Sequence, residues 1–310
     1  MHRRAAATPD HTPVHVASAR AVSAAQAACD LREKLPGAGL SAIIAFFSPY
    51  YVAQDFASAM AAQFPGVPVY GCSTAGELSL EGLSDDSVVA LGFCAEDFTT
   101  AAEPILDAAG FNIARARDHV QALRNQLVRL FKCDSFEPTK TKLVVTEADI
   151  ERRIVRELNA EPAAEEYARI AGVPIKDLDD FTFAAHPVIV RVAGEYYARS
   201  IQQANADGSL TFYCAIDEGL VLTAAGRLDT LEKAEELFAT TQAEIGEVSL
   251  YIGFDCIHRR LDAQQRQIER DLSDLYRRHR VVGFNTYGEQ FRSMHLNQTL
   301  SGVAIGRRPA

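Results

Sequence analysis

Short continuous apolar runs alternate with amphipathic stretches along this chain, the pattern of strands interleaved with helices. Ser41-Ala42-Ile43-Ile44-Ala45-Phe46-Phe47 is apolar almost throughout and stops at Ser48-Pro49, which predicts a buried strand. The alanine-rich residues 21–35 before it predict a helix, and Pro49 predicts the first turn of another running to about Phe64. Val88 to Cys94 reads as a further strand, so the chain opens as a βαβ unit. Over 112–127, Ile113, Ala116, Val120, Leu123 and Leu127 share one helical face. Val128–Asp134 and Leu143–Thr146 read as extended, and residues 153–158 alternate like a half-exposed strand. Pro162 predicts a helix start and Gly172 its end. Four strand-like runs follow (188–192, 195–201, 210–215 and 219–224), with Asn205-Ala206-Asp207-Gly208 as a hairpin turn. A helix at 229–243, a strand at 248–254 and a charged helix at 259–279 complete the pattern.

One heptapeptide occurs twice, 212 residues apart. Gly71-Cys72-Ser73-Thr74-Ala75-Gly76-Glu77 returns as Gly283-Phe284-Asn285-Thr286-Tyr287-Gly288-Glu289, keeping Gly, Thr, Gly and Glu in register. Each copy follows a short apolar run and precedes a polar loop and a β-like run, so the flanks repeat as well. Recurring sequence reports recurring structure. The fold class is therefore α/β to α+β, in two pseudo-repeated lobes with mixed sheets and flanking helices. Each lobe sets a Thr and a Glu between glycines on a strand-to-loop turn. There the pair either serves loop amides or faces a ligand, which makes Thr74, Glu77, Thr286, Tyr287 and Glu289 the ligand-binding candidates.

The domain organisation reads as a polar tail over 1–14, a first lobe over 15–135 and a second over 136–310. The boundary falls near the least regular interior stretch, Lys132 to Lys140. At 310 residues, 48% hydrophobic and 23% charged, the chain can build real cores. Its net charge of −10 argues against a nucleic-acid partner. No apolar run approaches the roughly 20 residues that span a membrane. Six scattered cysteines without a C-x-x-C predict reduced, mostly buried thiols in a cytoplasmic protein.

Val69-Tyr70-Gly71-Cys72-Ser73-Thr74-Ala75-Gly76-Glu77-Leu78 resembles the signature of the FIST N-terminal domain. Phe254-Asp255-Cys256, the stretch Gly283 to Gln290, and His295-Leu296-Asn297-Gln298-Thr299-Leu300-Ser301-Gly302 resemble the FIST C-terminal domain. Val144-Val145-Thr146-Glu147-Ala148-Asp149 is similar to the family too, and the likeness runs from about residue 15 to 306. The resemblance implies a bacterial intracellular sensor of signal transduction. It is closest to the NosP-type proteins, which bind haem, sense nitric oxide and regulate a partner histidine kinase. Small ligands such as amino acids are the alternative it implies, and a pure protein-interaction module is another. The Gly-Gly-x-Ala-Gly-Asp turn usual in FIST N-terminal domains is missing, so the first lobe reads as shortened.

For a haem b cofactor the axial ligand would be His186, which precedes Pro187 after the apolar Phe181-Thr182-Phe183-Ala184-Ala185. His295, beside Met294, is the second choice and His258 the third; no Cys-x-x-Cys-His is present for covalent attachment. The competing structural reading is a histidine serving its own fold. An enzyme reading would take Cys72 or Cys256 as nucleophile. Phe284 stands where the second copy would need its thiol, and no catalytic motif accompanies either cysteine, so the chain reads as no enzyme. The arginines of 259–280, interspersed with acids, read as a solvated face on which a kinase could dock. A homo-oligomer stays open.

Overall fold

The computed structural model describes residues 12–98, 128–291 and 294–306; the helix expected over 112–127 and residues 1–11 lie outside them. The chain divides into two compact units, residues 1–80 with 84–111, and residues 81–83 with 112–310. Together they form a mixed α+β protein with seven helices among the described residues.

The first unit runs β1 (Val14–Ala19), α1 (Ala24–Lys34), β2 (Leu40–Phe47), α2 (Ala53–Gln63) and β3 (Val69–Ser73). The short β4 (Glu77–Ser79) and β5 (Gly82–Ser84) follow, then β6 (Val88–Cys94). Its sheet has the order β1-β6-β2-β3, with β2 and β3 parallel and β6 antiparallel to both β1 and β2. Alternate residues of β2 (Ile43, Ala45, Phe47) pack with Leu31 of α1 and with Phe56 and Met60 of α2. Burying a side chain the size of Leu31 or Met60 completely contributes about 2 kcal/mol. Ser23 caps α1 by accepting from the Gln26 amide. Pro49 does not open α2. Ser48 closes a turn through Pro49 by accepting from the amides of Tyr50 and Tyr51, and the helix starts only at Ala53.

The second unit opens with β7 (Val128–Asp134), and the stretch expected to be irregular continues it into the long β8 (Phe136–Asp149). Next come β9 (Ile154–Leu158), β10 (Glu161–Pro162), α3 (Ala163–Ala171), α4 (Asp180–Ala185), β11 (Val188–Val192) and β12 (Glu195–Ala198). The run expected as one strand over 195–201 breaks at Arg199-Ser200 into β12 and β13 (Ile201–Ala204). β14 (Leu210–Phe212) closes the predicted hairpin with β13, and β15 (Val221–Arg227) ends this β-rich stretch. The unit finishes with α5 (Thr230–Ile245), β16 (Val248–Cys256), α6 (Ile257–Gln265), α7 (Glu269–Arg278), β17 (Val281–Thr286), β18 (Glu289–Phe291), β19 (Met294–Leu296) and β20 (Thr299–Gly306). The single helix expected over 259–279 is two, because Gln267 adopts φ 60° and ends the first.

Within this unit β17-β16-β20-β7 repeats the first unit's sheet: β16 and β17 are parallel, and β20 runs antiparallel to β16 and β7. Strand for strand, β1, β2, β3 and β6 correspond to β7, β16, β17 and β20. The difference is an insert over 136–227, a sheet of order β12-β11-β15-β8-β9-β14-β13 with its own core around Leu143, Tyr167 and Phe212. It enters between the repeat's first strand and its first helix.

The repeated glycines hold corresponding close approaches. Gly71 lies opposite Ala45 in the parallel pair, and a Cβ there would overlap the Ala45 carbonyl oxygen. Gly283 lies opposite Gly253, and a Cβ there would overlap the Gly253 carbonyl. Gly283 also sits at φ 149°, where side chains are rarely tolerated. We therefore expect Gly71→Ala to cost about 2 kcal/mol and Gly283→Ala more, about 3 kcal/mol or above, read as loss of stability in urea unfolding. Two variants as stable as the parent protein would show that these approaches are not the constraint.

Candidate functional site

Both heptapeptides end a parallel strand and turn back towards an antiparallel one, and in both the Glu is buried. In the first copy Glu77 is completely served. Its Oε1 accepts from the Thr74 hydroxyl, and its Oε2 accepts from the Ser87 amide (3.2 Å) and the Ser87 hydroxyl (2.8 Å). Burial pushes its carboxyl upward, and those three donors work against that shift. The Thr74 amide donates to the Phe47 carbonyl (3.1 Å), which anchors the turn to β2. Thr74 and Glu77 are thus a structural clamp.

In the second copy the clamp is half undone. Glu289 Oε2 accepts from the Thr299 hydroxyl at 2.8 Å, ten residues on, just as Ser87 lies ten residues beyond Glu77. Thr286 has turned away: its hydroxyl donates to the Gly288 carbonyl (2.8 Å) and accepts from the Gly288 amide (2.9 Å). Glu289 Oε1 is left buried with no hydrogen-bond partner among the described residues. The Cys256 thiol lies beside the carboxyl but makes no well-formed hydrogen bond to that oxygen. Burial drives the Glu289 carboxyl well above the usual range, so the proton-bearing form is favoured.

Other unpartnered atoms gather nearby. Among the described residues seven buried side-chain atoms lack a partner, and five belong to Arg199, Ser200, His258, Glu289 and Ser301. These connect through the segment 295–301. Arg199 donates to the His295 carbonyl (3.3 Å), and the Ser200 amide donates to Asn297 Oδ1 (3.3 Å). Gln298 Nε2 donates to the Phe183 carbonyl (3.2 Å) and lies 3.5 Å from His258 Nδ1. Thr299 and Ser301 share one face of β20 by strand alternation. Over this cluster Tyr213 meets the His258 ring edge-on at 5.7 Å and stacks on Tyr287 at 5.8 Å. Tyr287 itself is exposed. Burial lowers His258 to about 4 and raises Tyr213 to about 12, so both are neutral at pH 7. The cluster sits at the carboxyl ends of the parallel pair β16 and β17, where α6 begins. Open α/β sheets place ligands at that edge.

Of the ligand-binding candidates named from sequence, Tyr287 and Glu289 lie in this cluster, Thr286 closes its own turn, and Thr74 and Glu77 form the corner of the first unit. His258, ranked third, is central here. Asn297 and Gln298 stood in a quoted stretch without a role, and Tyr213 carried no sequence signal. His295 packs its ring on Gly288, where a Cβ would collide with its Nε2. The expected solvated arginine face is partly buried structure. Arg259 donates to Asp255 (2.6 Å) and to the Ser135 hydroxyl, Tyr276 donates to the other Asp255 oxygen (2.8 Å), and Arg260 donates to Glu269 (2.8 Å). Burial opposes the Arg259 charge, and the Asp255 carboxylate more than offsets it.

His186 lies apart from this cluster. It follows α4, its carbonyl accepts from the Tyr167 hydroxyl (2.8 Å), and its half-buried ring lines a cavity of about 190 Å³. Pockets for drug-sized ligands begin near 300 Å³, and haem is larger than most such ligands, so a porphyrin does not fit there. A broader depression of about 610 Å³ between β7 and α5 has no histidine in its lining. The Cys133 thiol there is pushed up by burial and so held from the thiolate. Among the described residues no group of His, Cys, Asp and Glu is placed to hold a metal ion. All six cysteines are free; Cys72 is exposed, and burial raises the thiols of Cys72 and Cys256.

Residues 41–131 match the FIST N domain, and residues 163–292 match the FIST C domain. The chain carries both FIST domains. These domains point to a family of signal-transduction sensors. No curated protein matches the chain. The FIST C match takes in most of the insert, the second heptapeptide and Glu289, and among the described residues no helix is long and apolar enough to cross a membrane.

The two buried groups of the FIST C cluster titrate in opposite senses. His258 is depressed on folding, so the stability it supports is present above pH 6.5 and lost as pH falls towards 4, about 3 kcal/mol at most. Glu289 is raised, so its contribution is present below about 4.5 and fades as pH rises above that value. In urea unfolding at pH 7 and pH 4.5, His258→Gln should shrink the acid loss and Glu289→Gln should raise stability at pH 7 relative to pH 4.5. Unchanged pH profiles in both variants would remove these groups from the account.

Proposed function

We propose that this FIST protein senses a small ligand that brings a hydrogen-bond donor to Glu289 in its FIST C lobe. One observation carries the reading: the threonine serves the glutamate in the first copy of the corner, and in the second it does not, leaving Glu289 Oε1 without a donor among the described residues. A buried carboxyl oxygen without a donor costs about 1–3 kcal/mol, which a ligand donor recovers on binding. An ammonium or amide N–H suits that oxygen, and an ammonium would also draw the carboxyl into its ionised form. Tyr287 and Tyr213 supply aromatic surface over the cluster, and His258 Nε2 and the Ser301 hydroxyl offer further polar partners. Free amino acids combine these features. The output on this reading is a partner protein, a histidine kinase by the family resemblance, that distinguishes the ligand-bound form from the free form.

Thermal shift against the twenty amino acids and simple alkylamines tests this directly. A ligand at 100 times its dissociation constant stabilises the folded state by about 2.7 kcal/mol. Glu289→Gln should abolish the shift and Glu77→Gln should retain it. If no member of the panel shifts the transition, or if both variants respond like the parent, the reading fails.

The nitric-oxide reading implied by the resemblance needs haem b, and the cavity of about 190 Å³ beside His186 is small for it. His295 is committed to packing on Gly288. A Soret band in protein expressed with haem supply, moved by nitric oxide and lost in His186→Ala, would replace the small-ligand reading with that one.

A further inference from the structure

We infer that the β-rich insert carries a second binding site, a cavity beside His186 for a compact, largely apolar molecule with one neutral hydrogen-bonding head. The cavity lies between the last turns of α3 and the strands β8, β11 and β15. Its volume of about 190 Å³ equals roughly six water-sized shares, which sets the occupant at about half a dozen heavy atoms. Tyr167, Ile170, Val188 and Ala224 make most of the wall apolar, with Thr139 and Thr141 at one side. His186 gives it a polar point, and no hydrogen bond joins its ring to another described residue.

The backbone is built around this opening. The β15–β8 register shifts between Thr223 and Ala225, a bulge of the kind that turns a sheet aside next to sites. Thr139 compensates locally: its hydroxyl donates to the Ala224 carbonyl (2.6 Å) and accepts from the Thr141 amide (3.2 Å). That bond serves the Ala224 carbonyl where the β8–β15 register shifts, and Ala224 and Ala225 line the cavity there. On the far side Pro187 holds the chain as it enters β11, and the Ala225 amide donates to the Pro187 carbonyl (2.9 Å).

Charge narrows the class of occupant. Burial lowers the His186 pKa, so the imidazole is neutral; the nearby Arg227 guanidinium adds to this, its own charge paired with Asp262 (2.6 Å). A cationic head would lose its hydration against this wall and meet no carboxylate among the described lining residues, so it is disfavoured there. A hydroxyl or carbonyl can pair with the ring nitrogens while its carbon body covers Tyr167 and Val188. This site is separate from the Glu289 cluster, which selects a donor of positive charge.

Methyl-resolved NMR of the full chain reads the Ile170 and Val188 methyls during titration with isobutanol, phenol or isobutylammonium. Isobutanol and phenol should shift these signals saturably at millimolar concentration, and isobutylammonium should not. Ala171→Leu and Ala224→Val, each filling the cavity from a different wall, should weaken the response at least tenfold. Glu289→Gln should leave it intact. Absence of a saturable shift with both neutral probes, equal binding of the ammonium probe, or an undiminished response in a folded filling variant would overturn the assignment.

Discussion

A buried carboxyl group tying the exit of a parallel strand to the start of an antiparallel strand ten residues later is the interaction on which both halves of this protein rest. Glu77 does this through Ser87, and Glu289 through Thr299. The glycine that opens each corner lets the two parallel strands pair where a Cβ would overlap the facing carbonyl. Gly71 against Ala45, and Gly283 against Gly253, supply that approach. Each lobe then closes its sheet in the same order around the same crossover.

Duplication leaves one copy free to change once the other secures a fold of its own kind. In the first lobe every oxygen of the glutamate has a donor, and the corner is finished structure. In the second, Thr286 closes its own turn and leaves Glu289 with an unserved oxygen, while His258, Tyr213 and Tyr287 meet in the same lobe. The buried polar strip of Arg199, Ser200, Asn297 and Gln298 joins the insert to this corner. An occupant at Glu289 would therefore meet side chains from the repeated core and from the insert. That gives the insert a means of registering it.

Much of this was legible before any coordinates. The heptapeptide predicted paired lobes, and the two sheets share one strand order. The apolar run at 41–47 lies in a strand, the Asn205–Gly208 turn joins a hairpin, and Gly172 ends its helix in the left-handed conformation. Readings that failed did so where periodicity carried no break signal. Gln267 at positive φ splits the charged helix, and Arg259 and Arg260 at its start are drawn inside by Asp255 and Glu269. Pro49 suits a helix start in the abstract, yet Ser48 uses it for a turn.

The local chemistry of glycine, alternation and strand-length apolar runs determined the lobes, the two corners and the elements around them, because those signals act within a few residues. The identical Thr–Gly–Glu letters could not say which corner is satisfied and which is open. That depends on where a hydroxyl two or three bonds from the backbone points once Gly288, His295 and Thr299 have packed around it. Nor could the sequence bring Tyr213 and His258 to Tyr287, or measure the space beside His186. Both follow from distances between segments far apart along the chain, and only the closed tertiary structure decides them.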